Sequence, residues 1–138
     1  MSDIRSVALQ FTEANDAGGG WDACRAFCHP GATFAFQGEL LGGIDTVEAY
    51  TDWIKGNQQT FPDFGGDVRA VGVDEERHCV MVYGANWGTH SGEGGPVPPT
   101  GKRFEVEGVN VISFHDGKIR HMTLVVSDAA IAKQLGWA

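Results

Sequence analysis

Residues 88–101 read Gly88-Thr89-His90-Ser91-Gly92-Glu93-Gly94-Gly95-Pro96-Val97-Pro98-Pro99-Thr100-Gly101. This stretch has no periodicity of its own and joins two strand-like runs. The run before it, 79–87, is rich in β-branched and aromatic residues, and the run after it, 104–114, alternates apolar and polar at period two. Sheet is therefore expected on both sides. A long Gly- and Pro-rich connection between strands suits a functional rim, and a plain surface loop shares that composition. The crossing predicts a fold built round a cup.

Towards the N-terminus the pattern is helical. Ser2 is a possible cap for a helix whose Ile4, Val7, Ala8 and Phe11 form one stripe, ending before Gly18-Gly19-Gly20. Trp21, Cys24 and Phe27 repeat the spacing over a short helix that Pro30-Gly31 should stop. A brief strand follows over 32–37, with Phe34 and Phe36 on one face. A third helix from Ile44 or Asp45 buries Val47, Tyr50, Thr51 and Ile54 and closes near Gly56 or a turn later. Strands are then predicted from Asp67 to Val73, over 79–87, over 104–114 and from Ile119 to Val126, with turns at Asp74-Glu75-Glu76 and Asp116-Gly117. Ser127 caps a last helix through Leu135, and Gly136 stops it. Helices first and strands afterwards is an α+β order in one domain, 1–138.

The bulk numbers exclude several function classes. With 10 Lys+Arg against 18 Asp+Glu, a net charge of −8 disfavours phosphate backbones, so no nucleic-acid partner is expected. No apolar stretch approaches the roughly 20 residues of a membrane span, and Met-Ser-Asp-Ile-Arg is no signal region. A soluble, cytoplasmic protein is expected, with Cys24, Cys28 and Cys79 as reduced thiols. Cys24, Cys28 and His29 have no second ligand pair, so no metal is expected. Gly18-Gly19-Gly20 lacks a phosphate-cradle context, no G-x-S-x-G elbow occurs, and no cofactor is expected.

The segments GTHSGE, PPTGKR, GVNVISFHDGKI and QLGW, together with WDACRAFCHP at 21–30 and Phe61-Pro62-Asp63, resemble the SnoaL-like polyketide cyclases. That family belongs to the nuclear transport factor 2-like superfamily, with ketosteroid isomerase and scytalone dehydratase. The resemblance covers most of the chain. It implies a cystatin-like fold, a curved antiparallel sheet wrapped round N-terminal helices with a conical cavity. The superfamily hosts isomerases, dehydratases, hydrolases and binding modules, so chemistry has to be argued from the site.

Within 104–114, Phe104, Val106, Gly108, Asn110, Ile112 and Phe114 share the expected inner face, while Glu105, Glu107, Val109, Val111 and Ser113 face outwards. Asn110 is then a polar group in an apolar row, fit either to bond a ligand carbonyl or to satisfy neighbouring backbone. Its partner depends on the turn. A two-residue Asp116-Gly117 turn sets His115 opposite Lys118 and Asn110 opposite Thr123, lining the cavity with His121 and Thr123. A three-residue loop sets Phe114 opposite Lys118 and Asn110 opposite Met122, lining it with Arg120, Met122, Leu124 and Val126.

The resemblance favours the second register, since the family ending is similar to GKIVEHWDVWD with His and Asp facing inwards. Aligned from Gly117-Lys118-Ile119, those positions are Met122 and Leu124. In the family the aspartate is the acid/base of an intramolecular aldol ring closure, a role closed to Leu124. Remaining catalytic candidates are His121, His90 and Asn110, with a surface or interface role for His121 and a loop-fixing role for His90 as alternatives. The expected ligand pocket comprises Phe34, Phe36, Tyr50, Trp53, Trp87, Asn110, Met122 and Leu124, although each aromatic also suits plain core. The expected function is binding of a small hydrophobic carbonyl compound, with cofactor-free proton transfer or, alternatively, binding alone. Val109 and Val111 in an otherwise polar outer row predict a homodimer.

Overall fold

In the computed structural model, which describes residues 3–138, the first helix is α1, Ile4–Asp16. Ser2 lies outside the described residues; the Asp3 carboxylate caps the helix, accepting the Arg5 N–H at 3.0 Å. Ala8, Phe11, Thr12 and Asn15 are buried along one side, so the stripe turns polar towards the helix end. A short α2, Gly20–Cys24, continues into a 3-10 turn, Arg25–Phe27. Pro30-Gly31 does not end it as expected. Strand β1, Cys28–Phe36, has already begun and runs through both residues. It is an edge strand, where a missing proline N–H is tolerated, and its ladder is interrupted between Cys28 and Thr33. Helix α3, Val47–Thr60, is capped by Thr46, whose hydroxyl accepts the Ala49 N–H at 3.1 Å, and it ends one turn past Gly56.

Strands β2 (Gly65–Asp74), β3 (Cys79–Thr89), β4 (Arg103–His115) and β5 (Lys118–Val125) complete a five-stranded sheet of order β1-β5-β4-β3-β2. The last four strands are antiparallel neighbours, as expected. The edge is different: β1 runs parallel to β5, with Phe34 beside Met122 and Phe36 beside Leu124. Register shifts in β1, in β2 between Val68 and Ala70, and between β4 and β5 bend the sheet into an open cup.

The β4–β5 register combines features of both expected alternatives. Asp116 and Gly117 have φ of 51° and 78°, a two-residue hairpin turn that sets His115 opposite Lys118. One extra residue, Arg120, then bulges between the pairs Phe114–Ile119 and Ser113–His121. Asn110 therefore faces Leu124, not Thr123 or Met122. The bulge lets Ile119 and Met122, three apart, both reach the buried face, where each is 0% exposed. Arg120 is exposed, against the expectation that it would line the cavity.

Ala8 and Phe11 of α1, Val47, Tyr50 and Ile54 of α3, and Val80, Val82, Ile112, Phe114 and Met122 of the sheet form the main core. A second cluster of Phe61, Phe104 and Leu135, flanked by Phe64, Val106, Ile131 and Trp137, closes the other end. It seats α4, Asp128–Leu135, which Ser127 caps by accepting the Ala130 N–H at 3.1 Å. Gly136 ends it at φ +74°, as the sequence predicts. Among the described residues no helix is long and apolar enough to cross a membrane.

Candidate functional site

Between the helices and the concave sheet face lies a cavity of about 350 Å³, within the usual range of small-molecule sites. Phe36, Trp53, Phe61, Phe64, Phe104 and Trp137 give it aromatic walls; Leu40, Leu41, Ile54, Val82, Val106 and Leu124 fill the gaps between them. The polar lining consists of Thr12, Asp16, Tyr50, Asn57, Thr60, Asp67, Asn86, Asn110 and Asp128. No Lys, Arg or His lines it among the described residues.

Five of the eight expected pocket residues meet here: Phe36, Tyr50, Trp53, Asn110 and Leu124. Phe34 does not. It packs behind the wall, stacked on Tyr50 with ring centroids 4.3 Å apart. Met122 is fully buried in the core opposite Ile112, a consequence of the β5 bulge. Trp87 shares the outer face of the sheet with its neighbour Glu105 and lies over Gly65, where only a glycine leaves room for the indole. Glu105 and Glu107 face outwards as expected; Glu107 pairs with Arg69 at 3.0 Å and accepts the Tyr83 hydroxyl.

Asn110 presents an amide whose Oδ1 is buried without a hydrogen-bond partner. A buried acceptor without a donor is costly, so a ligand hydroxyl or N–H placed there restores a bond that folding leaves open. His121 lies on the opposite side of the sheet from Asn110. Its Nδ1 is 2.7 Å from the Thr33 hydroxyl and its Nε2 3.0 Å from the Thr123 hydroxyl, so both ring nitrogens are engaged away from the cavity. The bulge that turns Leu124 inwards turns His121 out.

His90 is fully buried behind the rim. Its Nδ1 accepts the Trp137 indole N–H at 3.0 Å and the Thr100 N–H at 3.3 Å, which places the proton on Nε2. This pair ties the crossing to the chain's C-terminal segment. The other end of the crossing is tied to α3: Gly92 N–H donates to the Thr60 carbonyl at 3.0 Å, and the Thr60 hydroxyl donates to the Glu93 carbonyl at 2.9 Å. Gly94, Gly95 and Pro96 thereby form part of the cavity wall. Across the mouth, the Asp128 carboxylate accepts the Glu39 and Leu40 N–H groups at 2.7 and 3.1 Å, bonds that hold its carboxyl below the usual range and pin residues 39–40 to α4.

Sequence reasoning missed Asp16. It ends α1 beneath Thr12 and lines the cavity with Asn86 of β3, whose amide donates to the Gly65 carbonyl at 3.3 Å. Burial pushes its carboxyl up from 3.8 to about 6, with the Asn86 amide opposing that rise. Beside it, burial and then the Asp16 charge raise the Tyr50 hydroxyl, with Asn15 opposing that rise. One signal was present in the chain. An acid in the last turn of a helix opposes the helix dipole, so it needs a reason to be there.

The SnoaL-like polyketide cyclase family model matches residues 6–135. The aklanonic acid methyl ester cyclase AcmA of Streptomyces galilaeus is 28% identical over 125 residues, covering 88% of this chain and 82% of that protein. A SnoaL-like protein from Jannaschia sp. CCS1 superposes with a TM-score of 0.80 at 20% identity, covering 98% of this chain and 92% of the other. IdmH of Streptomyces antibioticus gives 0.77 at 24% identity, over 97% and 99%. A nuclear transport factor 2-like protein from Burkholderia thailandensis E264 gives 0.78 at 17% identity, over 97% and 98%. The fold is thus shared with these structures, and the chain belongs to the SnoaL-like polyketide cyclase family.

Proposed function

We propose that the cavity binds an uncharged hydrophobic carbonyl compound and performs cofactor-free proton transfer on it, as in aldol ring closure or isomerisation. The composition of the lining carries this reading. Aromatic walls on several sides suit a planar or polycyclic body, and the open Asn110 oxygen suits a hydroxyl on it. Asp16 and Asp128, with no cation among the lining residues, oppose a ligand carboxylate, whereas the Asp67 carboxylate is paired with Arg69 at 3.3 Å. The relative from Streptomyces galilaeus is named for a methyl ester, a substrate class that meets the same condition.

A second reading is favoured by one observation. Leu124 lines the cavity opposite Asn110, in the position where the family resemblance calls for the cyclase aspartate. A protein lacking any other acid/base would bind and release its ligand unchanged.

Titration of Trp53 and Trp137 emission with a polycyclic β-keto ester and its free acid tests the binding. The ester is expected to quench saturably and to bind at least about tenfold more tightly than the acid. Equal affinities, or no binding of the ester, overturn the proposal. Incubation of the bound ester then separates the two readings, because ring closure gives a product that chromatography resolves and binding alone returns the ester.

A further inference from the structure

We propose that Asp16 is the proton-transfer group of this cavity, acting on the carbon next to a carbonyl in an uncharged ligand. The inference rests on the reading above and supplies the group that Leu124 lacks. Two observations of placement carry it. Asp16 lines the main cavity, and it also lines a second, shallow hollow that Leu9, Glu13 and Gly66 help to form on the outer side. A carboxyl between two hollows can meet a ligand on one side and exchange its proton with water on the other. The Asn86 amide of β3, held by the Gly65 carbonyl at 3.3 Å, lines the cavity beside it.

The surroundings set its basicity. Glu13 on its own helix and Asp67 on β2 share the outer hollow, Asp67 with its carboxylate paired to Arg69 at 3.3 Å; Cys24 of α2 and Tyr50 of α3 lie within its field, and among the described residues no cation lines either hollow. Cys24 is pushed up to about 11 and Tyr50 is raised further from its ordinary value, so both stay neutral near pH 7. β3 contributes only the Asn86 amide. Burial among these groups places Asp16 at about 6, near the range in which a carboxylate is a useful base and its acid a useful donor.

The step is balanced within one molecule. The Asp16 carboxylate takes the proton, the C–H bond breaks, and its electron pair moves onto the carbonyl oxygen to give an enolate. In isomerisation the protonated Asp16 returns the proton to another carbon. In ring closure the enolate carbon bonds a second carbonyl carbon of the same ligand, and the new alkoxide takes the proton from Asp16. Substrate and product are isomers, and Asp16 ends ionised.

The test uses 2-tetralone, a neutral bicyclic ketone, in heavy water, with wild type, Asp16→Asn and Asp16→Glu. Loss of the α-proton signals reports proton transfer, and quenching of tryptophan emission reports binding. Wild type is expected to exchange faster than buffer, Asp16→Asn to lose about a hundredfold to ten-thousandfold, and Asp16→Glu to recover part of the rate. Binding should stay within about threefold across the series. After subtraction of the buffer rate, wild-type exchange should rise about tenfold per pH unit below about 6 and level off above it. Exchange in wild type no faster than in Asp16→Asn, with both binding the ketone, overturns the inference and leaves the binding proposal standing. Failure of wild type to bind overturns both. If Asp16→Asn does not fold, a wild-type profile without a break near pH 6 overturns the inference by itself.

Discussion

Asp16 leaves a mark on stability that needs no ligand to be seen. Its carboxyl sits at about 6 in the fold against 3.8 when unfolded, so the native state holds this proton more tightly. The sign follows: its stabilising protonated form is fully populated below pH 3.8, and the contribution is lost as pH rises towards 6. Above that, ionised Asp16 costs the fold up to roughly 3 kcal/mol, less where cavity water screens it. Asp16→Asn should therefore raise urea stability at pH 7.5 by about 1–3 kcal/mol and change it little at pH 3.5. A loss at pH 7.5 would contradict an uncompensated carboxylate. Asn110 was legible in the sequence because a lone amide breaks an alternating apolar row. Asp16 was not, because Thr12, Asn15 and Asp16 read as the solvated end of an amphipathic helix, and only the helices and strands packed across it bury them.

The crossing over residues 90–102 acts as an element although it has no regular structure. Its shape depends on contact with α3: a Cβ built on Gly92 would stand 1.8 Å from the Gln59 carbonyl oxygen. Gly92→Ala should push the rim off the helix, lower stability by about 1–3 kcal/mol and weaken ligand binding. Urea unfolding with tryptophan titration checks it; a variant with wild-type values on both would show that the rim does not depend on this contact. The strands either side of the crossing were legible, as was the Asp116-Gly117 turn. The Arg120 bulge was not, since each simple register was continued at strict period two. Its only trace is Ile119 and Met122, two apolar residues three apart that strict alternation would send to opposite faces.

At the scale of the whole molecule the outer sheet face is unpartnered. Val125 is 57% exposed and Tyr83 36%, beside half-buried Val109 and Val111. We propose the homodimer that this surface invites. Light scattering at micromolar concentration should then give about twice the 14.8 kDa chain mass, and Val111→Asp with Val125→Asp should return a monomer. A wild-type monomer at that concentration removes the proposal. The α+β order and the cup were visible in the switch from helical to strand period near Asp67, whereas the parallel edge was not, because nothing local in Cys28–Phe36 says which strand it will meet.

That edge fixes an order of events during synthesis. β1 is made early, yet its ladder neighbour is β5, the last strand to leave the ribosome. Until residues 118–125 emerge, Phe34 and Phe36 have no strand alongside, and the wall of the cavity that they support stays open. Helices α1 and α3 can form locally beforehand, but long-range pairing must wait. The nascent chain therefore carries Phe36, which is to line the cavity, without a strand beside it until β5 has been made.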